Sequence, residues 1–408
     1  MIRGLVVACL LAIATGWSAV GPVAADEGSG RNILVTDSNG KVRSGTLNEL
    51  AGGQLTLGMI DHVRLKTKNL LSLKFKERTS ALAPGDPLVI LAGGDLLVLR
   101  PESIDDEWLI GRWPRFPTWP AVKLPLETIR AVIFERPEDP AGRARLVNRM
   151  FDYNESQDAV ILTNGDALAG ELAGLDDKRL TLTTSLGKSP IERSGIRALI
   201  FNPTLTTSEA LKGEGALVAL VDGSRFRVRD VKFGSLDRLV VQTLFGVELD
   251  FPLTGLESLR FLGGCATYLS DLTPAEYKFE PYLDLDWPLR RDRSVAGGLL
   301  SLRGVEYPKG LGAHSKSTIT YRLDGKFRWF RATIGIDDAA AGKGSATFEV
   351  LADDRALYKS DVLTGTSPAA TLERLDVTGA RNLTLRVGYA TLGDIQDHAD
   401  WCDAVLVK

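Results

Sequence analysis

Apolar and polar positions alternate in short runs along most of this chain, and the runs end in Asn, Asp and Gly pairs. Four openings share this form: Ile33-Leu-Val-Thr-Asp-Ser-Asn-Gly40, Leu88-Val-Ile-Leu-Ala-Gly-Gly-Asp95, Val160-Ile-Leu-Thr-Asn-Gly-Asp166 and Leu217-Val-Ala-Leu-Val-Asp-Gly223. Each reads as a strand entering a tight turn. Four closings match as well: Leu70–Phe75, Ile129–Phe134, Ile196–Phe201 and Leu256–Phe261. Between them lie alternating segments such as Arg179–Thr184 and Arg238–Thr243, followed by a proline or polar turn. The unit recurs about every 60 residues, which marks an array. The copies are 32–78, 86–136, 157–203 and 214–263. Each holds about five short strands, enough to curl into a small barrel that leaves little edge exposed. The expectation is four tandem barrel-like copies, loosely similar to SH3-like or Sm-like folds, with a four-bladed propeller as the alternative. The extra residues at 135–156 and 202–214 favour separate barrels.

The second copy departs from the pattern. Trp108, Trp113, Phe116 and Trp119 cluster in a proline-rich stretch. Such a cluster either offers a platform to a sugar or partner or folds its own rings over the barrel end, and packing area favours the latter. His62, on a polar strand-like segment, reads as a surface residue.

After Gly264 the same alternation serves a different unit. Thr318, Thr320 and Arg322 alternate with Ile319, Tyr321 and Leu323, Asp324-Gly325 turns the chain, and 328–336 returns. Residues 330–336, 346–351, 372–377, 383–387 and 404–407 read as further strands. No helical period is sustained there, so two packed antiparallel sheets are expected. Gly310 and Gly312 flank Leu311 just ahead of His314. This places the histidine on a glycine-held loop at a strand end, where ligand contacts concentrate.

Composition changes the picture modestly. The net charge of −3 argues against nucleic acid or an anionic membrane as partner, since both need a basic face. Residues 1–25 read as a secretory signal: Arg3, an apolar core at 5–14, and Val23-Ala24-Ala25 before a cut. No later stretch is long and apolar enough to cross a bilayer, so the mature protein is expected to be secreted, periplasmic or in the cell envelope.

Within 264–408 the landmarks are Tyr268–Pro274, Trp287–Arg293, Gly297-Gly298, Lys309–Ser315, Phe330–Asp338, Thr347–Val350 and Asp397-His-Ala-Asp-Trp401. Their order resembles the NPCBM family of carbohydrate-binding modules, often attached to exported glycosidases. The resemblance covers about a third of the chain and implies a jelly-roll β-sandwich and glycan or polysaccharide binding.

Sugar binding needs an apolar platform and fixed donors and acceptors. His314, Asp337, Asp397, His398 and Trp401 are the candidates. Each has a structural reading too: Trp401 as core, Asp337 and Asp338 as turn caps, Asp397 and Asp400 as loop supports or ligands of a structural calcium. Cys265 and Cys402 bracket the domain. They are expected either to form a disulfide, as an exported chain allows, or to remain buried thiols.

No nucleophile motif, P-loop or zinc spacing is present. A glycosidase needs two carboxylates facing each other across a cleft, and short-strand copies leave no room for a separate catalytic domain. The chain therefore reads as non-catalytic, with no required cofactor. The leading function is glycan binding with the copies as spacers or docking modules. An envelope protein scaffold whose sandwich no longer binds sugar is the alternative, and a hydrolase component a weaker one.

Overall fold

The computed structural model describes residues 31–408 apart from 59–61, 81, 84, 234, 283–284 and 392. The segment read as a secretory signal lies outside the described residues. The rest is all-β with one α-helix.

In the first copy the opening strand Asn32–Asp37 lies between Val42–Ala51 and the closing strand Leu70–Phe75. The third and fourth copies repeat this, with Asp158–Leu162 and Gly215–Leu220 as central strands. In the second, Leu88–Leu91 lies between the short Leu96–Leu97 and Ile129–Ile133. A 3₁₀ turn precedes every closing strand, at Thr67–Asn69, Leu126–Thr128, Arg193–Gly195 and Leu253–Gly255.

The closing strands also pair with one another. Leu70–Phe75 lies antiparallel to Leu256–Leu262, and Ile129–Ile133 to Ile196–Ile200. These strands are largely buried, and a free edge on such a strand would invite association. Pairing copy one with four, and two with three, covers those edges. It also places Ile33, Val89, Val160 and Val218 in one hydrophobic core. The copies are thus packed together through their closing strands, not set radially as blades. The aromatic loop of the second copy contributes to this core. Trp113 and Trp119 are buried, and Trp119 stacks on Phe116 and on Phe251 of the fourth copy, at 3.9 and 5.2 Å between centroids.

The interval 135–156, the extra residues between copies two and three, contains the helix Pro140–Asp152. Asp139 caps it by accepting from the Gly142 amide, Pro140 opens it, and Ala144, Leu146, Val147 and Met150 are buried. These residues lie over the joint between copies two and three, against Ile90, Ile133, Ala159 and Ile200. Arg130 donates to the carbonyls of Met150, Phe151 and Tyr153 and so closes the helix C-terminus.

The C-terminal unit is a two-sheet sandwich. One sheet runs Arg290–Arg291, Gly310–His314, His398–Val407, Trp329–Ile336, Ala370–Asp376. The other runs Glu276–Phe279, Ser317–Arg322, Asn382–Tyr389, Ser345–Ala352, Arg355–Lys359. The expected strands are present, but the last begins at His398 and takes in most of the polar cluster. Ala266–Tyr268 pairs with the end of that strand, and the Cys265 amide donates to Lys68 of the first copy at 2.8 Å.

The disulfide is not formed. Cys265 lies beside Leu70 in the first copy, whereas Cys402 packs against Leu300 and Leu302. The Cys265 carbonyl bonds to the Lys408 amide. Cys402 is six residues back along an extended strand, about 20 Å away, and a disulfide needs Cα atoms within about 7 Å.

Candidate functional site

Two glycines set the position of His314. Gly310 has φ +150°, and a Cβ there would meet the Trp401 carbonyl at 2.5 Å. A Cβ on Gly312 would meet the Val295 amide nitrogen at 2.4 Å. The segment expected to be a loop is therefore a strand, Gly310–His314, pressed between its neighbours, and His314 is its last residue. Its partner across the ladder is His398. The two rings stand 5.8 Å apart.

Trp287 closes the group. Its indole stacks on His314 at 4.6 Å with a 3° interplanar angle and lies 5.7 Å from His398. Phe279 meets His314 edge-on. Both histidines are buried, while Trp287 and Phe279 are half-buried. His314 Nδ1 lies 2.9 Å from the Ser315 carbonyl, which can only accept, so Nδ1 carries the proton and Nε2 is left as an acceptor. His398 Nδ1 has no partner among the described residues. Burial lowers the pKa of both rings. His398 goes down to about 4, with a further push from His314. At neutral pH both imidazoles are uncharged.

The surrounding loop is fixed by hydrogen bonds. Tyr277 Oη donates to the Trp287 carbonyl at 2.7 Å and Tyr389 Oη to the Glu280 carbonyl at 2.6 Å. Lys316 pairs with Glu280 at 2.8 Å. Tyr282 projects to solvent with its ring edge-on to Tyr389. Asp397 lies behind the histidines. It accepts from Ser315 Oγ at 2.6 Å and the Ser345 amide at 2.7 Å, tying the two sheets together at this end.

The remaining candidates lie elsewhere. Trp401 is fully buried and meets Phe348 edge-on in the sandwich core, so it offers no platform. Asp337 caps a turn through the Ala339 amide and accepts from the Ser301 amide. Its carboxyl also meets that of Asp400. Asp400 is fully buried, with the Asp337 carboxyl and the Ser301 amide beside it. Burial and the Asp337 charge push it well above the ordinary carboxylate range, so the pair shares a proton. Asp397, just ahead of the strand, holds Ser315 Oγ and the Ser345 amide, while Asp400, within it, lies against Asp337, so the two carboxyls face different partners. Among the described residues no group of three or more His, Cys, Asp or Glu converges as metal ligands.

Of the five predicted binding residues, the structure brings His314 and His398 together, with Asp397 as their support. Sequence reasoning missed Trp287, Phe279, Tyr282 and Tyr389. In the sequence Trp287-Pro288 is a family landmark, and nothing local announces that its ring reaches His314.

Comparison with known proteins decides the family of this unit. Residues 266–407 match the NPCBM/NEW2 domain. The C-terminal sandwich is an NPCBM domain. Over 108 residues, 26% of this chain, it is 41% identical to 7% of the "Putative endo-alpha-N-acetylgalactosaminidase" of Renibacterium salmoninarum. Over 117 residues, 28% of this chain, it is 32% identical to 15% of Alpha-1,3-galactosidase B of Akkermansia muciniphila. The chain thus spans only a small part of these curated relatives. Among solved structures, CBM51 from Clostridium perfringens GH95 in complex with methyl-galactose is 27% identical, covering 35% of this chain and 99% of that one, with a TM-score of 0.32. The NPCBM match ends at the sandwich and leaves the four copies outside it.

Proposed function

We propose that this chain is an exported, non-catalytic glycan-binding protein whose NPCBM domain takes a neutral, galactose-type sugar at the Trp287–His314–His398 end. The observation that carries this reading is the stack of a half-exposed indole on an uncharged imidazole, with a second uncharged imidazole in register beside it. An aromatic surface suits the C–H face of a pyranose, and ring nitrogens suit its hydroxyls. The names of the two relatives support a galactose-type ligand. The Asp337–Asp400 pair is buried and hairpin-covered, so it does not serve as the two carboxylates that a glycosidase sets across its cleft. Export rests on the N-terminal signal pattern, and the joined copies serve as a rigid support.

Calorimetry on the whole protein with galactose and N-acetylgalactosamine tests this. Trp287→Ala is expected to weaken binding about tenfold or more, about 1.4 kcal/mol, while circular dichroism stays unchanged. No heat up to about 10 mM sugar, a −2.7 kcal/mol threshold for ΔG, or undiminished affinity in the variant, would refute the reading.

A further inference from the structure

Where the NPCBM domain meets the four copies, a cleft of about 670 Å³ opens between Ala219, Arg225 and Arg260 on one side and residues 304–308 on the other. Its volume is typical of a small-molecule site, and it lies apart from the histidine pair.

The charges lining it are unevenly matched. Glu257 pairs with Lys74, and Asp338 accepts from Ser301 Oγ and two backbone amides. Arg260 is matched by Asp403. Among the described residues, the carboxylate within ion-pair distance of two nearly buried guanidiniums is Glu306, which serves both: Arg225, at 2.7 Å, and Arg136, at 3.9 Å. Their side chains are 9% and 7% exposed. Arg225 Nη1 is buried and has no hydrogen-bond partner among the described residues.

A buried cation normally has an anion of its own, because desolvation is costly without one. Burial lowers the pKa of both arginines, as expected where the countercharge falls short. A planar carboxylate matches the guanidinium fork. Tyr307 and Pro308 in the wall offer ring surface to a pyranose.

We infer that this cleft is a second binding site, for an acidic sugar, in which a uronate carboxylate joins Glu306 as the missing counter-anion of Arg225 and Arg136. The site is built jointly by the copies and the NPCBM domain, so neither part alone contains it.

The test is calorimetry of the full chain at low salt with D-galacturonate and D-glucuronate, against galactose and sulfate. Uronate is expected to bind, and Arg225→Gln to weaken it about tenfold or more. Glu306→Gln, which removes the competing carboxylate, is expected to tighten it, and Trp287→Ala to leave it unchanged. The Trp287 variant separates this inference from the galactose reading, since each site can fail alone. Absence of uronate binding at about 10 mM, unaltered affinity in Arg225→Gln, or unaltered or weaker affinity in Glu306→Gln would overturn it. So would sulfate binding as tightly as the uronates. If Arg225→Gln does not fold, the Glu306→Gln result decides.

Discussion

His398 is held neutral by burial, and that has a pH consequence. Its folded pKa of about 4 lies below its ordinary 6.5. Stability from the neutral ring is therefore fully present above pH 6.5 and is lost as pH falls toward 4. The linkage is worth on the order of 3 kcal/mol. Urea midpoints measured at pH 7 and pH 4.5 are expected to drop more for the wild type than for His398→Asn. Asp400 behaves in the opposite sense. Its folded pKa is raised, so its contribution is greatest below the unfolded carboxylate pKa and fades as pH rises. Asp400→Asn keeps a donor toward Asp337 and removes the need to bind a proton. It is expected to raise the melting temperature at pH 7.5 by about 2–4 °C, roughly 1 kcal/mol, with the gain vanishing near pH 3.5. A variant that melts lower at both pH values would contradict the shared-proton account.

Among the elements, strands were the most legible. Alternation fixed Ser317–Arg322 and Trp329–Ile336 closely, because one face of each meets the core and the other does not. The last strand is longer than its alternation suggests, because Asp397-His398-Ala399-Asp400 looks like a polar loop. Its burial depends on a neighbouring strand and the hairpin at 300–307, which local pattern does not encode. The helix Pro140–Asp152 was missed although its cap, its opening proline and its buried Leu146, Val147 and Met150 were present, because a single helix stood against four strand-rich copies. Its end depends on Arg130, ten residues before its start. Arg130→Ala leaves three helix-end carbonyls without that donor. A loss of about 1–3 kcal/mol in denaturant unfolding is expected, and an unchanged midpoint would assign the cap no weight.

At the scale of the whole molecule, the copies and the NPCBM domain share a tight interface. A Cβ on Gly298 would come within 2.8 Å of Ala144 Cα in the helix, and Arg290 pairs with Asp152 at its end. Gly298→Val is expected to force the two units apart at a cost of about 1–3 kcal/mol. Scanning calorimetry then reads two separate transitions where the wild type gives one. The sequence resemblance marked Gly297-Gly298 as belonging to the domain, but what the glycines admit is a helix from outside it. Joint features of this kind, the arginine-rich cleft among them, were illegible because each half is unremarkable until the other is docked.

The pairing of Leu70–Phe75 with Leu256–Leu262 joins strands whose sequence positions differ by nearly the whole length of the array. As the chain emerges, the first copy therefore has one flank bare until the fourth follows. Non-local closures of this kind are slow and leave nascent chains open to aggregation. The first copy cannot be moved as an independent cassette, and shortening the array from its beginning would expose the same seam in the fourth.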